Sequence, residues 1–250
     1  MMKLKMNRNI TNLNSLKRKQ EIDCFNLVKN AILKNNGIVL INANCEIELI
    51  SKMFAEAVSN TYENDFPDFV FENGGIEHFQ ITSSKETKKG SEYKIKESKN
   101  NNENKKIYND ILNNYSNSLF VAFTNDVYDF FTYEDYLASL KRNIVNHVES
   151  LIKNHYQNKT VAFLIEQQTG RPYIMGTDGK AEFCLMSKDK NALAIIKENC
   201  VGVSYIIYLV SNIVELIDIR KIDELFKKSL DYKNVKVGRQ INGNISFLPS

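Results

Sequence analysis

The run of residues 66–82, FPDFVFENGGIEHFQIT, is the feature that most constrains how this chain can fold. Its centre, Asn73-Gly74, supplies the residue pair that a tight type I′ turn favours, and apolar strand-forming residues flank it on both sides. We therefore predict a β-hairpin with Asn73 and Gly74 as its two loop residues. In that register Asp68 and Glu77 are diagonal neighbours on one face, about 7–8 Å apart at the backbone.

This pair of acids is a candidate metal site. Two carboxylates directed at one point repel each other unless a cation lies between them, and hard divalent ions such as Mg²⁺ take oxygen ligands. The alternative is that Asp68 and Glu77 belong to the solvated face of an ordinary hairpin. A register shift of one residue would also place them on opposite faces.

The positive charge of the chain is concentrated in one segment. The protein has 250 residues, 43% of them hydrophobic, which is enough to bury a sizeable core, and its formal net charge is only +3. Residues 85–106, however, contain eight lysines and four glutamates. This local excess is typical of a patch that binds nucleic acid, for which the candidates are Lys85, Lys88, Lys89, Lys94 and Lys96. The alternative is a solvated loop whose glutamates offset the lysines.

The cysteines and histidines give no metal-binding pattern. The four cysteines occur singly, without a CxxC pair and without a secretory signal, so we expect a cytoplasmic protein in which they are buried small hydrophobes: Cys24, Cys45, Cys184 and Cys200. His147 and His155 lie eight residues apart on a predicted helix and lack a partner at ligand spacing, so we expect ordinary helical residues. The longest apolar run, residues 201–216, contains polar interruptions, so no membrane partner is expected.

The order of predicted elements favours an α/β or α+β fold, with a mixed central sheet flanked by helices. Residues 1–13 are expected to form a flexible basic arm, and residues 14–250 a single domain with a mobile basic insertion near 83–104. Helices are predicted at 14–35, from Asn44, from Thr132 or Glu134 to about His155, and at 220–229. Strands are predicted at 37–41, 183–186, 203–210 and 214–219, with 160–166 and 171–175 forming a second hairpin.

Several catalytic motifs are absent from the sequence. It contains no GxxxxGK[ST] and no GxGxxG phosphate-binding loop, and neither a GxSxG elbow nor an HExxH zinc motif. These absences argue against a nucleotide-driven engine and against a serine hydrolase.

The order of helix, strand, Pro-Asp strand, Glu-bearing strand and basic segment resembles the PD-(D/E)xK nuclease superfamily, which has the restriction-endonuclease-like fold. Pro67-Asp68 matches the PD element, and Glu77 matches the second acid. The family lysine is expected at position 79, where this chain has Phe79. The resemblance therefore implies that a lysine from the following segment, for which we take Lys88, fills that role, with Lys85 and Lys89 as the alternatives.

The resemblance implies a metal-dependent nuclease acting in restriction or defence, with Mg²⁺ or Mn²⁺ as cofactor, DNA as partner and a homodimeric assembly. Asp68, Glu77 and Lys88 would be catalytic. Glu166, at the end of a neighbouring strand, would be a further metal ligand, or only a strand end that meets a turn. Glu21 on the first helix could add another acid, or be a solvent-exposed charge on the helix face. The alternative is a non-catalytic nucleic-acid-binding or protein-interaction module on the same type of sheet, which the missing lysine at position 79 favours.

Overall fold

The computed structural model describes residues 2–41, 45–60, 66–87, 90–92, 95, 98–99, 102, 106, 131–168, 171–177 and 180–238. Within these residues the helices are α1 (Met2–Lys34), α2 (Ile47–Glu56), α3 (Tyr133–Lys153), α4 (Lys190–Asn199) and α5 (Ile222–Lys228). The strands are β1 (Ile38–Ile41), β2 (Val58–Ser59), β3 (Phe69–Phe71), β4 (Gly74–Ile81), β5 (Glu86–Thr87), β6 (Gly90–Ser91), β7 (Thr160–Gln167), β8 (Arg171–Met175), β9 (Ala181–Phe183), β10 (Tyr205–Val210), β11 (Ile213–Asp218) and β12 (Lys236–Gly238).

A mixed seven-stranded sheet forms the centre of the protein, in the order β1-β11-β10-β7-β4-β3-β2. The pairs β1–β11, β10–β7 and β7–β4 are parallel, whereas β10–β11, β4–β3 and β3–β2 are antiparallel. A smaller sheet joins β12, β8 and β9. The predicted α/β class, a mixed central sheet flanked by helices, is confirmed.

Helices cover both faces of the central sheet. On one face, α1 and α2 pack apolar side chains against the strands, as Phe25 and Phe54 do against Phe69 and Leu164. On the other face, α3, α4 and α5 enclose a second core around Phe163 and its neighbours. Because the central strands are buried on both sides, β10 reads as an unbroken apolar run, with all six of its residues buried.

Helix α3 follows the sequence prediction closely. Its buried residues recur at helical spacing along one side: Tyr133, Tyr136, Leu140, Ile144, Val148 and Leu151. Of the two predicted starts, Thr132 and Glu134, the structure has the first. The Thr132 side chain caps the helix by accepting a hydrogen bond of 3.0 Å from the main-chain N–H of Asp135. This helix carries two of the side chains that line the candidate site described below.

The β3–β4 hairpin forms in a register that differs from the predicted one. Phe71 lies opposite Gly74, so Glu72 and Asn73 are the loop residues. Neither Asn73 nor Gly74 has a positive φ, and the predicted type I′ turn is therefore wrong. Gly74 serves strand packing instead, because a Cβ at this position would lie 1.8 Å from the carbonyl oxygen of Thr160 on β7.

Three further elements differ from the sequence predictions. Helix α1 extends back to Met2, so residues 2–13, expected as a loose arm, are helical. Strands β7 and β8 lie in different sheets and do not form the predicted hairpin. Residues 190–199, for which no helix was predicted, form α4, whose N-terminus is capped by the Asp189 side chain.

The predicted mobile insertion at 83–104 lies partly outside the described residues, which lack 88–89, 93–94, 96–97, 100–101 and 103–104. The described residues of this segment include two short strands. Strands β5 and β6 pair in antiparallel fashion, with Glu86 opposite Ser91. Ser83 is fully buried, and its hydroxyl accepts a hydrogen bond of 2.9 Å from Nε2 of Gln167. Its carbonyl accepts another of 2.8 Å from the N–H of Thr132. These bonds satisfy polar groups that composition alone would assign to a solvated loop.

Candidate active site at the open edge of strand β4

The candidate site lies where β3 separates from β4. The ladder between the two strands ends at the pair Phe69–Ile76, whereas β4 continues to Ile81. A cavity of about 230 Å³ lies along this part of β4. Its walls come from two helices and the strand: Lys17, Gln20 and Glu21 of α1, Asn143 and His147 of α3, and His78, Phe79 and Gln80 of β4.

Asp68 and Glu77 meet at this edge, as the sequence predicted, although in a different register. Continuing the observed pairing places them directly across from each other instead of diagonally. The main-chain N–H of Asp68 donates to Oε2 of Glu77 at 3.1 Å, and the N–H of His78 donates to Oδ2 of Asp68 at 2.8 Å. Both carboxylates are largely buried, because the exposed fraction of the side chain is 16% for Asp68 and 11% for Glu77. The side chain of Glu21, the third acid of the site, is 7% exposed. Main-chain donors thus hold both carboxylates in place, Asp68 directly before β3 and Glu77 within β4.

Glu21 joins this pair from α1. Nη1 of Arg18 lies 3.0 Å from Oε2 of Glu21 and 3.4 Å from Oδ1 of Asp68, so one guanidinium nitrogen contacts both carboxylates. Nη2 of Arg18 donates to the carbonyl oxygens of Asn60 and Asp68 at 2.9 and 3.0 Å, which anchors the side chain to the sheet edge. Nζ of Lys17 lies 3.4 Å from Oε1 of Glu21. The helix therefore supplies one acid and two cations to the site.

His147 on α3 holds Glu77 from the other side. Its Nδ1 lies 2.8 Å from Oε1 of Glu77, and its ring stacks on Phe79 with the ring centroids 4.4 Å apart. Burial lowers the pKa of His147 to about 4, so the imidazole is neutral near pH 7. The sequence analysis treated His147 as an ordinary helical residue. A residue 70 positions from its partner gave no local signal for this contact.

The pKa values of the two strand acids are raised towards neutrality. Burial, followed by repulsion from Glu77 and Glu21, raises the pKa of Asp68 to about 7. Burial also raises the pKa of Glu77 to about 7, although the hydrogen bond from the Asp68 main chain and the charge of Lys17 oppose the shift. The three carboxylates are thus under-neutralised by the two cations beside them. A further cation bound among them would lower the free energy of the ionised state.

Glu166 belongs to a different group of side chains. It pairs with Gln80 across the parallel β4–β7 ladder, and this position faces the side of the sheet opposite to Glu77. Its Oε2 lies 3.2 Å from Nε2 of His78 and accepts a hydrogen bond of 2.7 Å from Nε2 of Gln80. The structure therefore does not bring Glu166 to the Asp68–Glu77 pair as an additional ligand. Alternation along the strand separates them.

The lysines predicted to bind nucleic acid are only partly described. Lys85 is exposed, and its carbonyl accepts a hydrogen bond of 2.8 Å from the N–H of Glu92. The other candidates, including the predicted catalytic Lys88, lie outside the described residues: Lys88, Lys89, Lys94 and Lys96. Among the described residues, the cationic side chains beside the acids are those of Lys17 and Arg18 on α1, and the sequence analysis selected neither.

Comparison with known proteins does not identify a family. No protein-family model, no curated protein and no solved structure matches this chain. Among the helices of the described residues, none is both long enough and apolar enough to cross a membrane.

Proposed function

We propose that this protein is a metal-dependent nuclease that hydrolyses phosphodiester bonds at the open edge of β4. The observation that carries the proposal is the convergence of Asp68 and Glu77 at the sheet edge. They lie beside a cavity between α1 and α3 whose lining includes Glu21 and His147, and His147 contacts Glu77. In the sequence, α1, the Pro67-Asp68 segment and β4 with Glu77 follow one another in the order that the resemblance implies.

The donor set of the site fits a hard divalent cation. Its acids offer carboxylate oxygens only, which are the ligands that Mg²⁺ and Mn²⁺ take in proteins. The raised pKa values of Asp68 and Glu77 indicate that two ionised carboxylates are poorly compensated here. Arg18 contacts the outer oxygens of Glu21 and Asp68, so binding of an ion between them would require this guanidinium to move.

The residues at and beside the cavity would have different roles in the reaction. Asp68, Glu77 and Glu21 would hold the ion, which supplies Lewis acidity towards the phosphodiester and lowers the pKa of an attacking water. His147, neutral near pH 7, would keep the Glu77 carboxylate oriented through its 2.8 Å contact. Lys17, with an exposed side chain at the cavity wall, would bind the phosphate and stabilise its negative charge in the transition state.

Cleavage of nucleic acid tests this proposal. Purified protein is expected to cut plasmid DNA or single-stranded nucleic acid with Mg²⁺ or Mn²⁺ and to be inactive with a chelator. Asp68→Asn and Glu77→Gln are each expected to reduce the rate by at least about a hundredfold, because an underbound ion no longer activates water. Glu72→Gln is the matched control, since Glu72 is an exposed acid in the turn of the same hairpin.

Binding measurements separate the two kinds of residue. Lys17→Gln, and neutralisation of Lys88 and Lys89, are expected to weaken binding to nucleic acid and to flatten its dependence on salt concentration, because phosphate contacts act through counterion release. Absence of cleavage with every divalent ion tested, in a protein that still binds nucleic acid, would contradict the nuclease proposal.

Two observations favour a second candidate function, a non-catalytic nucleic-acid-binding or protein-interaction module on the same fold. Phe79 packs where the resemblance would place a lysine, with an exposed fraction of 4%. Arg18 already contacts Asp68 and Glu21 as a cation would. If Arg18 is the permanent counter-ion of the acids, Mn²⁺ will bind to Arg18→Gln but not to the wild-type protein. A titration that follows the paramagnetic signal of free Mn²⁺ measures the binding to each protein.

A further inference from the structure

A second set of metal-ligand side chains lies on the face of β4 opposite to Glu77. Cys24 on α1, His78 on β4 and Glu166 on β7 each offer one ligand atom, and these three atoms all lie within 4.8 Å of one another. They come from three separate elements that pack together in the core around α1 and α2. We propose that Cys24, His78 and Glu166 form a binding site for a transition-metal dication of the zinc class, through one thiolate, one imidazole and one carboxylate.

The spacing of the ligand atoms suits such an ion. Zinc takes sulfur at about 2.3 Å and nitrogen or oxygen at about 2.0–2.2 Å, so atoms around a tetrahedral ion lie roughly 3.3–3.8 Å apart. Nε2 of His78 and Oε2 of Glu166 are already 3.2 Å apart. The sulfur of Cys24 lies within 4.8 Å of the other ligand atoms, so it has to approach by at most about 1 Å to complete a three-ligand set of these dimensions.

The strand positions of the site are fixed by the sheet. His78 and Glu166 lie on adjacent parallel strands, with Gln80 paired to Glu166 in the ladder. Gln80 also donates a hydrogen bond of 2.7 Å to the Glu166 carboxylate, in the way that neighbouring donors orient the ligands of metal sites. Both strands are long and central, so the two ligands keep their relative positions whether or not a metal is bound.

The charges of the site match a dication. A thiolate and a carboxylate carry two negative charges, which one dication cancels. The resulting neutral complex costs less free energy to bury than a charged group does. Burial, assisted by the nearby Glu166 charge, raises the pKa of the Cys24 thiol, so the residue is a neutral thiol without metal. On coordination the thiol proton passes to the buffer. Nε2 of His78, which faces Oε2 of Glu166 without metal, would bind the ion with the ring proton on Nδ1. No change of oxidation state is involved.

The chemistry of the ligands separates this site from the Asp68–Glu77 site. A thiolate and an imidazole select zinc-class ions over Mg²⁺, whereas the acids across the strand offer only oxygen. Three protein ligands is also the number found in zinc sites that keep one position for water or substrate. His78 and Gln80 line the cavity at the sheet edge, which gives this position a route to solvent.

Titration with Co²⁺ tests the site directly, because a thiolate bound to Co²⁺ gives a near-ultraviolet charge-transfer band that oxygen ligands do not give. The full chain, stripped with a chelator and kept reduced, is titrated in the presence of excess Mg²⁺ to occupy the oxygen-ligand site. We expect the charge-transfer band together with the intense visible bands of four-coordinate Co²⁺, both of which Zn²⁺ displaces at a stoichiometry of one ion per chain.

Matched variants assign the band to residues. Cys24→Ser is expected to abolish it, and Glu166→Gln to weaken Co²⁺ binding by at least about tenfold while the band remains. Cys45→Ser, at another buried cysteine on the same side of the sheet, and Asp68→Asn, in the other site, are expected to leave it unchanged. No band in the wild type, or a band that survives Cys24→Ser, would overturn the proposal, and neither result depends on nuclease activity.

Discussion

The pH dependence of stability gives a quantitative check on the buried acid pair. The pKa of Asp68 rises from an ordinary 3.8 to about 7, first because of burial and then because of repulsion from Glu77 and Glu21. Each pKa unit corresponds to about 1.4 kcal/mol, so ionising Asp68 costs the folded protein about 4 kcal/mol more than it costs the unfolded chain. Repulsion from Glu21 enters the pKa values of both Asp68 and Glu77, so the two energies are not added.

The direction of this effect follows from the raised pKa. The folded protein holds the Asp68 proton more tightly than the unfolded chain does, so the stabilisation is fully present below about pH 4 and is lost as the pH rises to about 7. His147 acts in the opposite direction, because burial lowers its pKa to about 4 and its contribution is lost as the pH falls below about 6.5. The wild-type profile alone therefore combines the contributions of Asp68 and Glu77 with the opposing contribution of His147.

A comparison with Asp68→Asn isolates the acid. Urea unfolding followed by far-ultraviolet circular dichroism gives the free energy of unfolding at about pH 4 and about pH 8 for both proteins. The wild type is expected to lose up to about 4 kcal/mol more than Asp68→Asn over this interval, whereas Glu72→Gln should follow the wild type. Mg²⁺ at the higher pH should restore stability to the wild type, by about 2.7 kcal/mol at a hundred times its dissociation constant, and less to Asp68→Asn. Parallel profiles for wild type and Asp68→Asn would show that the carboxylate is not perturbed and would refute the reasoning.

Three further substitutions test the geometry around the site by thermal or urea unfolding. His147→Ala is expected to cost about 1–3 kcal/mol, because it removes a hydrogen-bond partner from the buried Glu77. Gly75→Ala is expected to cost about 1–3 kcal/mol or more, because a Cβ there would lie 2.1 Å from Cγ of Pro67. Phe79→Lys is expected to cost more than about 3 kcal/mol and to give no gain in cleavage, because it buries an ammonium group in place of a packed ring.

Exposed neighbours provide controls for these substitutions. Asn146→Ala, on an exposed position beside His147, and Glu72→Ala, in the turn of the β3–β4 hairpin, should change stability by less than about 0.5 kcal/mol. Equal losses in a variant and its control would show that the contact named for that variant is not the cause. An increase in cleavage by Phe79→Lys would show that position 79 is a vacant lysine site.

Local patterns predicted the hairpin acids but not their exact pairing. Asp68 and Glu77 were selected because strand alternation places them on one face, and a register that is wrong by two positions preserves the face. The loop residues were misplaced because Asn73-Gly74 is a strong turn signal. Gly74, however, is required by contact with Thr160, which lies 86 positions further along the chain. A local sequence pattern does not predict such contacts between strands that are distant in the chain.

The rest of the site depends on which helices dock at the sheet edge. Glu21 was named as a candidate acid, but Lys17, Arg18 and His147 were not, because their partners lie on other elements. Glu166 was assigned to the wrong group, since its face depends on the register between β4 and β7. Register between parallel strands joined by a long connection cannot be deduced from alternation within either strand.

Phe79, which stands where the PD-(D/E)xK pattern has a lysine, has a packing role beside the acids. Its ring stacks on His147 and packs edge-on against Phe163, with centroids 4.4 and 5.4 Å away. His147 in turn contacts Glu77, so position 79 supports an acid of the site through an aromatic contact instead of supplying a charge. Any positive charge needed near the acids must then come from another element. Lys17 on α1, which reaches Glu21 at 3.4 Å, meets that requirement from the opposite wall of the same cavity.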